Sequence, residues 1–596
     1  MAGKCRVVDY LMEYIYEHGA ETVFFVPGTG CMHLTDALAR CTKMEKVSTH
    51  HEQAAAMAAL TYAQYRQTIG ACVVTTGCGG TNTMTGLLHA WQDSIPCVFI
   101  SGQAQRSHTV RNSGLPLRQM GRQEADIIAL VEPITKYAVM LNDGSEAVSQ
   151  IEKAVYMATE GRPGPVWIDV PLDIQNTLID PDEARHFIPP EEVLLTARES
   201  EISAVEDILQ GAERPVILAG NGIRLGNAIE ELNCFAEKFS IPVTYSRLGA
   251  DLMETANHLS IGMVGMLGTS RAGNFAVANA DVILCLGCRL SVDTTGYEFD
   301  KFAREAKLVV VDIDEIEHSK DTVKIDMFIH SDVKAFLQKM IQRNINSYTE
   351  WSEKCLHWKQ MFPVHVRDQK EYEKIDMYYF TEELSKVLPD RAVVLSDAGN
   401  SFFTVSPVLK LKNGQRSITS GGQAEMGYAL PGAIGAYCAS RETVVAINGD
   451  GSVMMNLQEL ETIAFNQIPV KICIMNNNGY SSIRHLQQNA FRGRLIGTDS
   501  SCGIGFPDFE RIVKAFGIQY VRLENPEKLA EELKEVMQME GPVVCEVICE
   551  EEQEFLTVGT AFNKKKRLVN RPIEDLVPFL DRDVFLSEMI IEPIDQ

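Results

Sequence analysis

Short apolar runs recur from end to end of the chain, each closed by a glycine or polar turn and separated by stretches long enough for a helix. ETVFFVPGTG (21–30), GACVVTTGCGG (70–80), PCVFISGQ (96–103) and PGPVWIDVP (163–171) form a first group. PVILAGNGIRLGNA (215–228), ADVILCLGCRLS (280–291) and KLVVVDIDE (307–315) form a second. VVLSDAGNS (393–401), ITSGGQAEMGYALPGAIGA (418–436) and the stretch 444–482 form a third. Continuous apolar runs mark strands buried on both faces, and alternation with helices makes such strands parallel. The pattern predicts an α/β protein of three doubly wound parallel-sheet domains. Expected boundaries are 1–190, 191–346 and 375–558, with a polar linker over 180–192 and a Pro-interrupted tail over 559–596.

The stretch 444–482 says most about chemistry. A strand (444–447), a Gly449-Asp450-Gly451 turn, a helix and a second strand (470–475) end on Asn476, Asn477 and Asn478. A unit of this length is a right-handed parallel crossover, so both strand ends and the helix start open on one sheet edge. Backbone N–H groups there receive anions. Asp450 adds a carboxylate oxygen and Asn477 an amide oxygen, hard donors suited to Mg²⁺ or Ca²⁺ bridging to a diphosphate. The segment 73–102 repeats the order of 444–477, including an Ile-Pro before the second strand, but has uncharged Gly77-Cys78 where the later copy has Asp450. Two related domains are expected, only one of them equipped for a metal.

Composition narrows the class. Of 596 residues, 45% are hydrophobic and 23% charged, the balance of a soluble globular chain. No run of about 18 apolar residues exists, so no membrane span is expected. Asp9, Glu13 and Glu17 in the amphipathic start argue against a secretory signal. A formal net charge of −25 makes nucleic acid an unsuitable partner. The cysteines read as buried thiols of a reducing, cytoplasmic compartment. The basic run KKKR (564–567) reads as a solvated face.

Glu52 opens an alanine-rich helix within KVSTHHEQAAAMAALTYAQ (46–64), where a carboxylate by itself is a capping charge worth under about 1 kcal/mol. Its neighbours change that reading. The His51-Glu52-Gln53 stretch, and Gly449-Asp450-Gly451 followed at the right spacing by Asn476-Asn477, resemble thiamine-diphosphate (ThDP) enzymes of the acetolactate-synthase-like, pyruvate oxidase/decarboxylase-type family. The resemblance runs over nearly the full length. It implies that Asp450, Asn477 and the Gly479 carbonyl hold Mg²⁺, and that Gly451 and Ser452 offer N–H groups to the diphosphate, with Tyr480 in the same pocket. It implies a second diphosphate loop at Ala398, Gly399, Asn400 and Ser401. Met426 would wedge under the thiazolium, and the Ala424 carbonyl would receive the 4′-amino group. Glu52 would hydrogen-bond N1′ of the aminopyrimidine and promote its imino tautomer. Pro27, Gly28, Thr29 and Gly30 would line the pyrimidine, with Gln123 and Gly28 at the reacting centre. His50 and His51 stay open between a structural role and a proton relay. In the family, the glutamate and the metal site that meet at one cofactor come from different subunits, so a homodimer or homotetramer with interfacial active sites is expected.

The second group of strands ends in Gly220-Asn221-Gly222 and in Asp312-Ile313-Asp314, a Rossmann-like layer. The resemblance makes it a candidate site for structurally held FAD, with Arg162, Gly220, Gly222, Gly287, Arg289 and Asp312 on the matching positions. The family's GARxDxRxTG pattern stands here as GCRLSVDTTG, with Ser291 and Asp293 at the usual charged pair. The implied reaction is decarboxylation of a 2-oxo acid, pyruvate, and carboligation to a second carbonyl. One departure bears on that acceptor. The family's GMVxQWQ-like stretch reads SSIRHLQQ (481–488), with Ser482 and Leu486 at the Met and Trp positions, which removes an aromatic wall and an N–H donor. An altered acceptor is expected, such as a keto sugar attached to a nucleotide. The C-terminal residues also resemble members linked with surface-polysaccharide synthesis. Two alternatives stay open: a C–C lyase of the 2-hydroxyacyl-CoA or benzaldehyde type, and a non-catalytic ThDP-fold protein, which would be expected to lack Glu52 or Asp450. The tail is expected to close over the site mouth.

Overall fold

A computed structural model describes residues 3–191, 193–365, 369–562 and 567–594, so most of the basic run 564–567 lies outside the described residues. Three six-stranded parallel sheets carry the fold. The first consists of β1 (Thr22–Phe25), β2 (Glu45–Ser48), β3 (Gly70–Val74), β4 (Cys97–Gln103), β5 (Tyr137–Met140) and β6 (Val166–Pro171), in the order β2-β1-β3-β4-β6-β5. The central sheet consists of β7 (Pro215–Ala219), β8 (Val243–Tyr245), β9 (Ser260–Met263), β10 (Val282–Leu286), β11 (Lys307–Asp312) and β12 (Met327–His330), in the order β9-β8-β7-β10-β11-β12. That is the strand order of dinucleotide-binding folds. The third consists of β13 (Val393–Ser396), β14 (Arg416–Thr419), β15 (Val444–Gly449), β16 (Lys471–Asn476), β17 (Gln519–Leu523) and β18 (Val543–Ile548), in the order β14-β13-β15-β16-β18-β17. The first and third sheets thus share one strand order, and the repeated segments 73–102 and 444–477 supply the third and fourth strands of each.

The N- and C-terminal domains are joined through their helices. Helix α1 (Glu52–Arg66) packs against α5 (Ala429–Ser440), with Ala54 through Ala59 fully buried. A Cβ added at Gly435 would stand 2.0 Å from the Ala58 carbonyl oxygen, so the two backbones touch directly. Between them in sequence come α2 (Cys78–Asn82), α3 (Met84–Gln92) and α4 (Asn400–Val408). The helix expected after Asp450 is broken into α6 (Asp450–Val453) and α7 (Glu459–Phe465), and α8 (Ser481–Ala490) follows the asparagines. Apolar residues of both domains form one continuous core, whereas the central domain has its own.

Among the described residues, the tail is fastened to the central domain. Phe585, on α9 (Arg582–Glu588), meets Phe275 edge-on with ring centroids 5.9 Å apart, and Trp358 Nε1 donates to Glu588 at 2.7 Å. Glu574 pairs with Arg304 at 2.7 Å. The cysteines are all unpaired, and most are buried; Cys78 and Cys234 are exposed, contrary to the expectation of buried thiols.

Candidate active site

On the C-terminal sheet the candidate residues converge at the carboxyl ends of the adjacent strands β13, β15 and β16. Asp450, 1% exposed, follows β15 and uses both oxygens to tie the edge together. Oδ1 accepts the Gly451 N–H at 2.7 Å, and Oδ2 accepts the Gly479 N–H at 2.8 Å, across the strand gap. Burial pushes its carboxyl up to about 6, against the pull of those N–H donors. Gly451 has to be glycine because the Tyr480 ring occupies its Cβ position, 2.0 Å away. Gly479, at φ +133°, would drive a Cβ to within 2.1 Å of the Thr498 carbonyl. Asn477 is buried beside them.

Arg484 on α8 holds this loop from behind. Its buried guanidinium donates to the carbonyls of Asn477 (3.2 Å), Asn478 (3.3 Å) and Glu551 (2.6 Å). Sequence reasoning treated SSIRHLQQ only as an acceptor-site departure and so missed this clamp. An arginine seven residues after Asn477 was the available signal.

The loop Ala398 to Ser401 turns through Gly399 at φ +66° into α4. The Asn400 Nδ2 and Ser401 Oγ atoms are buried without a hydrogen-bond partner. Buried donors left unpaired by the protein call for an acceptor from outside, and a diphosphate is such an acceptor. The α8 start borders the same loop, with Ser482 Oγ 3.6 Å from a Cβ placed on Gly399. Asp397, unmarked in the sequence, is the anchor: it accepts from the N–H groups of Ala398 (2.8 Å), Gly427 (3.0 Å) and Ala429 (2.9 Å). It thereby fastens the segment carrying Ala424 and Met426 to the end of β13. Met426 lies in the loop ahead of α5, not inside a helix, and is 37% exposed, as a side chain facing a ligand needs to be. Ala424 adopts φ +50°, an unfavourable conformation for alanine that sets the direction of its carbonyl.

The N-terminal sheet gathers the remaining candidates. The loop Pro27 to Gly30 leaves β1 and lies on Thr75 and Thr76, with the Gly30 N–H bonded to Thr75 Oγ1 at 3.1 Å. Gln123, at φ +59°, sets its carbonyl where a Cβ on Gly77 would stand, 2.1 Å away. Glu52 is half-buried at the first turn of α1 and accepts from Asn82 Nδ2 at 2.9 Å. His51 is the helix N-cap, its Nδ1 accepting the Gln53 N–H at 3.1 Å, a structural role. Among the described residues, no hydrogen bond or ion pair of this chain joins Glu52 to Asp450 or Asn477.

Two further residues bind the groups across the domain seam. Glu459 on α7 accepts the backbone N–H groups of His50 (3.2 Å) and His51 (3.0 Å), immediately before Glu52. Asn456 donates to the Gly427 carbonyl at 2.8 Å and to Gln53 at 3.1 Å. Neither stood out in the sequence, since both are polar positions inside what reads as one helix.

The central domain has a cleft at the carboxyl ends of β7 and β10, where strand order reverses and such folds bind ligands. Arg162, Gly222, Gly287, Arg289 and Asp312 line it. Gly220 stands behind, its Cβ position 2.2 Å from the Gly287 carbonyl. Arg162 already pairs with Asp314 (2.9 Å) and Glu317 (2.7 Å). Cys288 also lines the cleft and stands at CxxC spacing from Cys285, an exception to the otherwise scattered cysteines.

Among the described residues no group of three or more His, Cys, Asp or Glu gathers to hold a metal. No helix among them is long and apolar enough to cross a membrane.

Three family models match, in the order of the three sheets: the thiamine pyrophosphate enzyme N-terminal TPP binding domain over residues 5–130, the central domain over 202–340, and the C-terminal TPP binding domain over 397–547. The chain is similar to the acetolactate synthase large subunit of Parasynechococcus marenigrum, 32% identical over 556 residues that cover 90% of this chain and 86% of that protein. It is similar to the acetolactate synthase large subunit of Lactococcus lactis, 31% identical over 555 residues, 92% and 93%. The chloroplastic acetolactate synthase of Arabidopsis thaliana is 31% identical over 576 residues, 93% and 83%. With all three family models matched along the chain and relatives at 31–32% identity over most of its length, the chain belongs to the thiamine-diphosphate enzymes, as an acetolactate-synthase-like carboligase/decarboxylase.

Proposed function

We propose that this protein decarboxylates a 2-oxo acid, pyruvate, and joins the remaining two-carbon unit to a second carbonyl that is not pyruvate. The observation that carries the reading is the pair of unpartnered buried donors, Asn400 Nδ2 and Ser401 Oγ, on a strand end adjacent to the buried Asp450 carboxylate. Asp450, Asn477 and the Gly479 carbonyl would hold Mg²⁺, and Gly451, Ser452 and residues 398–401 the diphosphate. ThDP, when bound, supplies the electron sink for decarboxylation. The chain's own residues do the rest. Glu52 would hold or release a proton on the pyrimidine side, the Ala424 carbonyl would accept the amino group, and Met426 would pack against the ring. Gly28, Thr29 and Gln123 shape the space above. By the family resemblance, Glu52 of one copy and Asp450 of another would complete each site, in a homodimer or homotetramer. FAD, without a redox role, fits the central cleft by its strand-order switch and its close-packed glycines.

The acceptor reading rests on α8. Leu486 is 52% exposed and offers neither an aromatic wall nor a donor, and Ser482 stands at the diphosphate loop. A larger, polar carbonyl such as a nucleotide-linked keto sugar suits that opening. Product analysis tests this directly, using purified protein, ThDP, Mg²⁺ and pyruvate with and without a panel of keto-sugar nucleotides, and a flavin absorbance spectrum of the same sample. CO₂ release that accelerates with one acceptor, with a single ligated product, is the expected result. Rapid acetolactate from pyruvate alone overturns the altered acceptor. Turnover of no 2-oxo acid points instead to the C–C lyase.

A further inference from the structure

A charged cluster at the seam of the two outer domains takes no part in the chemistry above. His89, on the last turn of α3, is fully buried. Its Nδ1 lies 2.7 Å from Glu425 Oε1, and its Nε2 3.2 Å from Asp93 Oδ2. Asp93 Oδ2 also accepts the Gly421 N–H at 2.8 Å. Glu425 accepts the Ser420 hydroxyl, whose oxygen in turn takes the Ala424 N–H at 3.1 Å. The Tyr428 ring closes the cluster edge-on, 4.9 Å from the imidazole. One imidazole of the N-terminal domain therefore grips both ends of loop 420–427 of the C-terminal domain, through Asp93 at Gly421 and directly at Glu425.

Such a cluster is a poor way to gain stability alone. Apolar side chains of the same volume serve a buried seam at least as well, whereas a buried charge left alone is strongly destabilising. Burial opposes the imidazolium, yet the charges of Glu425 and Asp93 overrule it and raise His89 to about 10. Burial likewise opposes the Glu425 carboxylate, and the His89 charge keeps it below its ordinary range. What the cluster does provide is direction. It fixes Glu425 between Ala424, strained at φ +50°, and Met426, the two residues read above as facing the cofactor.

We propose that His89 is a positioning residue: its bridge to Glu425 and Asp93 holds loop 420–427 so that the Ala424 carbonyl and the Met426 side chain meet the cofactor in reactive geometry. The proposal rests on the ThDP reading of those two residues.

The test uses the full-length protein with ThDP and Mg²⁺ and compares His89→Gln, Glu425→Gln and the double variant. The readouts are kcat and KM for pyruvate, ThDP affinity, melting temperature, and deuterium exchange at the cofactor C2 position. Each single variant is expected to slow both exchange and kcat by about 30-fold, with KM and ThDP affinity within about threefold, because the loop is misdirected rather than lost. The double variant, left with a neutral pair, is expected to be no slower than the slower single. Wild-type exchange in folded His89→Gln, or losses that multiply in the double, overturn the proposal. Should His89→Gln fail to fold, Glu425→Gln decides alone, and wild-type exchange there has the same meaning. Met426→Ala separates this proposal from its premise: slowed exchange there beside normal exchange in His89→Gln sinks only the role of His89, whereas normal exchange in Met426→Ala sinks the reading of the loop.

Discussion

The N- and C-terminal domains are built on the same sheet, strand for strand, and do unlike things with it. In both, the third strand ends in a tight turn held close by glycine, Gly451 under the Tyr480 ring and Gly77 against the Gln123 backbone. In the C-terminal domain the turn ends on Asp450, whose two oxygens bridge to Gly451 and Gly479 and leave a carboxylate at the sheet edge. In the N-terminal domain it ends on Gly77 and Cys78, with the Gln123 carbonyl packed where any side chain would go. That domain's carboxylate, Glu52, comes from the following element of another strand and is aimed by Asn82 and by Glu459 across the seam. Under the proposed function, one scaffold would offer a cation site or a proton-exchanging site, according to which loop supplies the carboxylate.

The sharpest way to break the comparison is at Glu52. Replacing it with Gln keeps a hydrogen-bonding group but removes the acid, so kcat should fall about 10³-fold with ThDP still bound; unchanged turnover refutes the assigned role. Asp450→Asn should act on binding instead, weakening Mg²⁺-dependent ThDP affinity about 100-fold, as titrated by melting temperature. If both variants lose affinity equally, the division of labour between the domains is wrong. Gly77→Ala asks whether the neutral turn is closed to side chains. It should cost about 2 kcal/mol in urea unfolding, whereas Gly497→Ala, also at positive φ but in open space, should cost about half that. The smallest effect is expected at Leu486→Trp, which should raise the share of acetolactate formed from pyruvate alone by about tenfold without changing decarboxylation.

Much of this was legible in the chain because the inner strands are buried on both faces and announce themselves as apolar runs. The edges were not. β2 (EKVS) and β17 (QYVRL) are half-exposed and mixed in polarity, while β5 (YAVM) and β12 (MFIH) are apolar but only four residues long, too short to stand out as runs. The site divides along the same line. Asp450, Asn477 and Gly479 stand in a spaced motif, and so does Glu52 beside its histidine. Asp397, Asn456, Glu459 and Arg484 act by holding backbone groups at separations that run from one residue (Asp397 to Ala398) to 409 (Glu459 to His50), so no common spacing marks them in the sequence. The break between α6 and α7 was hidden for the same reason, since Asn456 is drawn out of helical company by the Gly427 carbonyl.

The seam between α1 and α5 has a consequence for how this sequence can change over time. Where the Ala58 carbonyl fills the space beside Gly435, neither helix has room for even one added methyl group, and overpacking there costs about 1–3 kcal/mol. The helix that presents Glu52 and the helix that follows Met426 cannot drift separately. The exposed face of α8, where Leu486 stands half-exposed, is open to variation, while the paired helices are inherited as a unit.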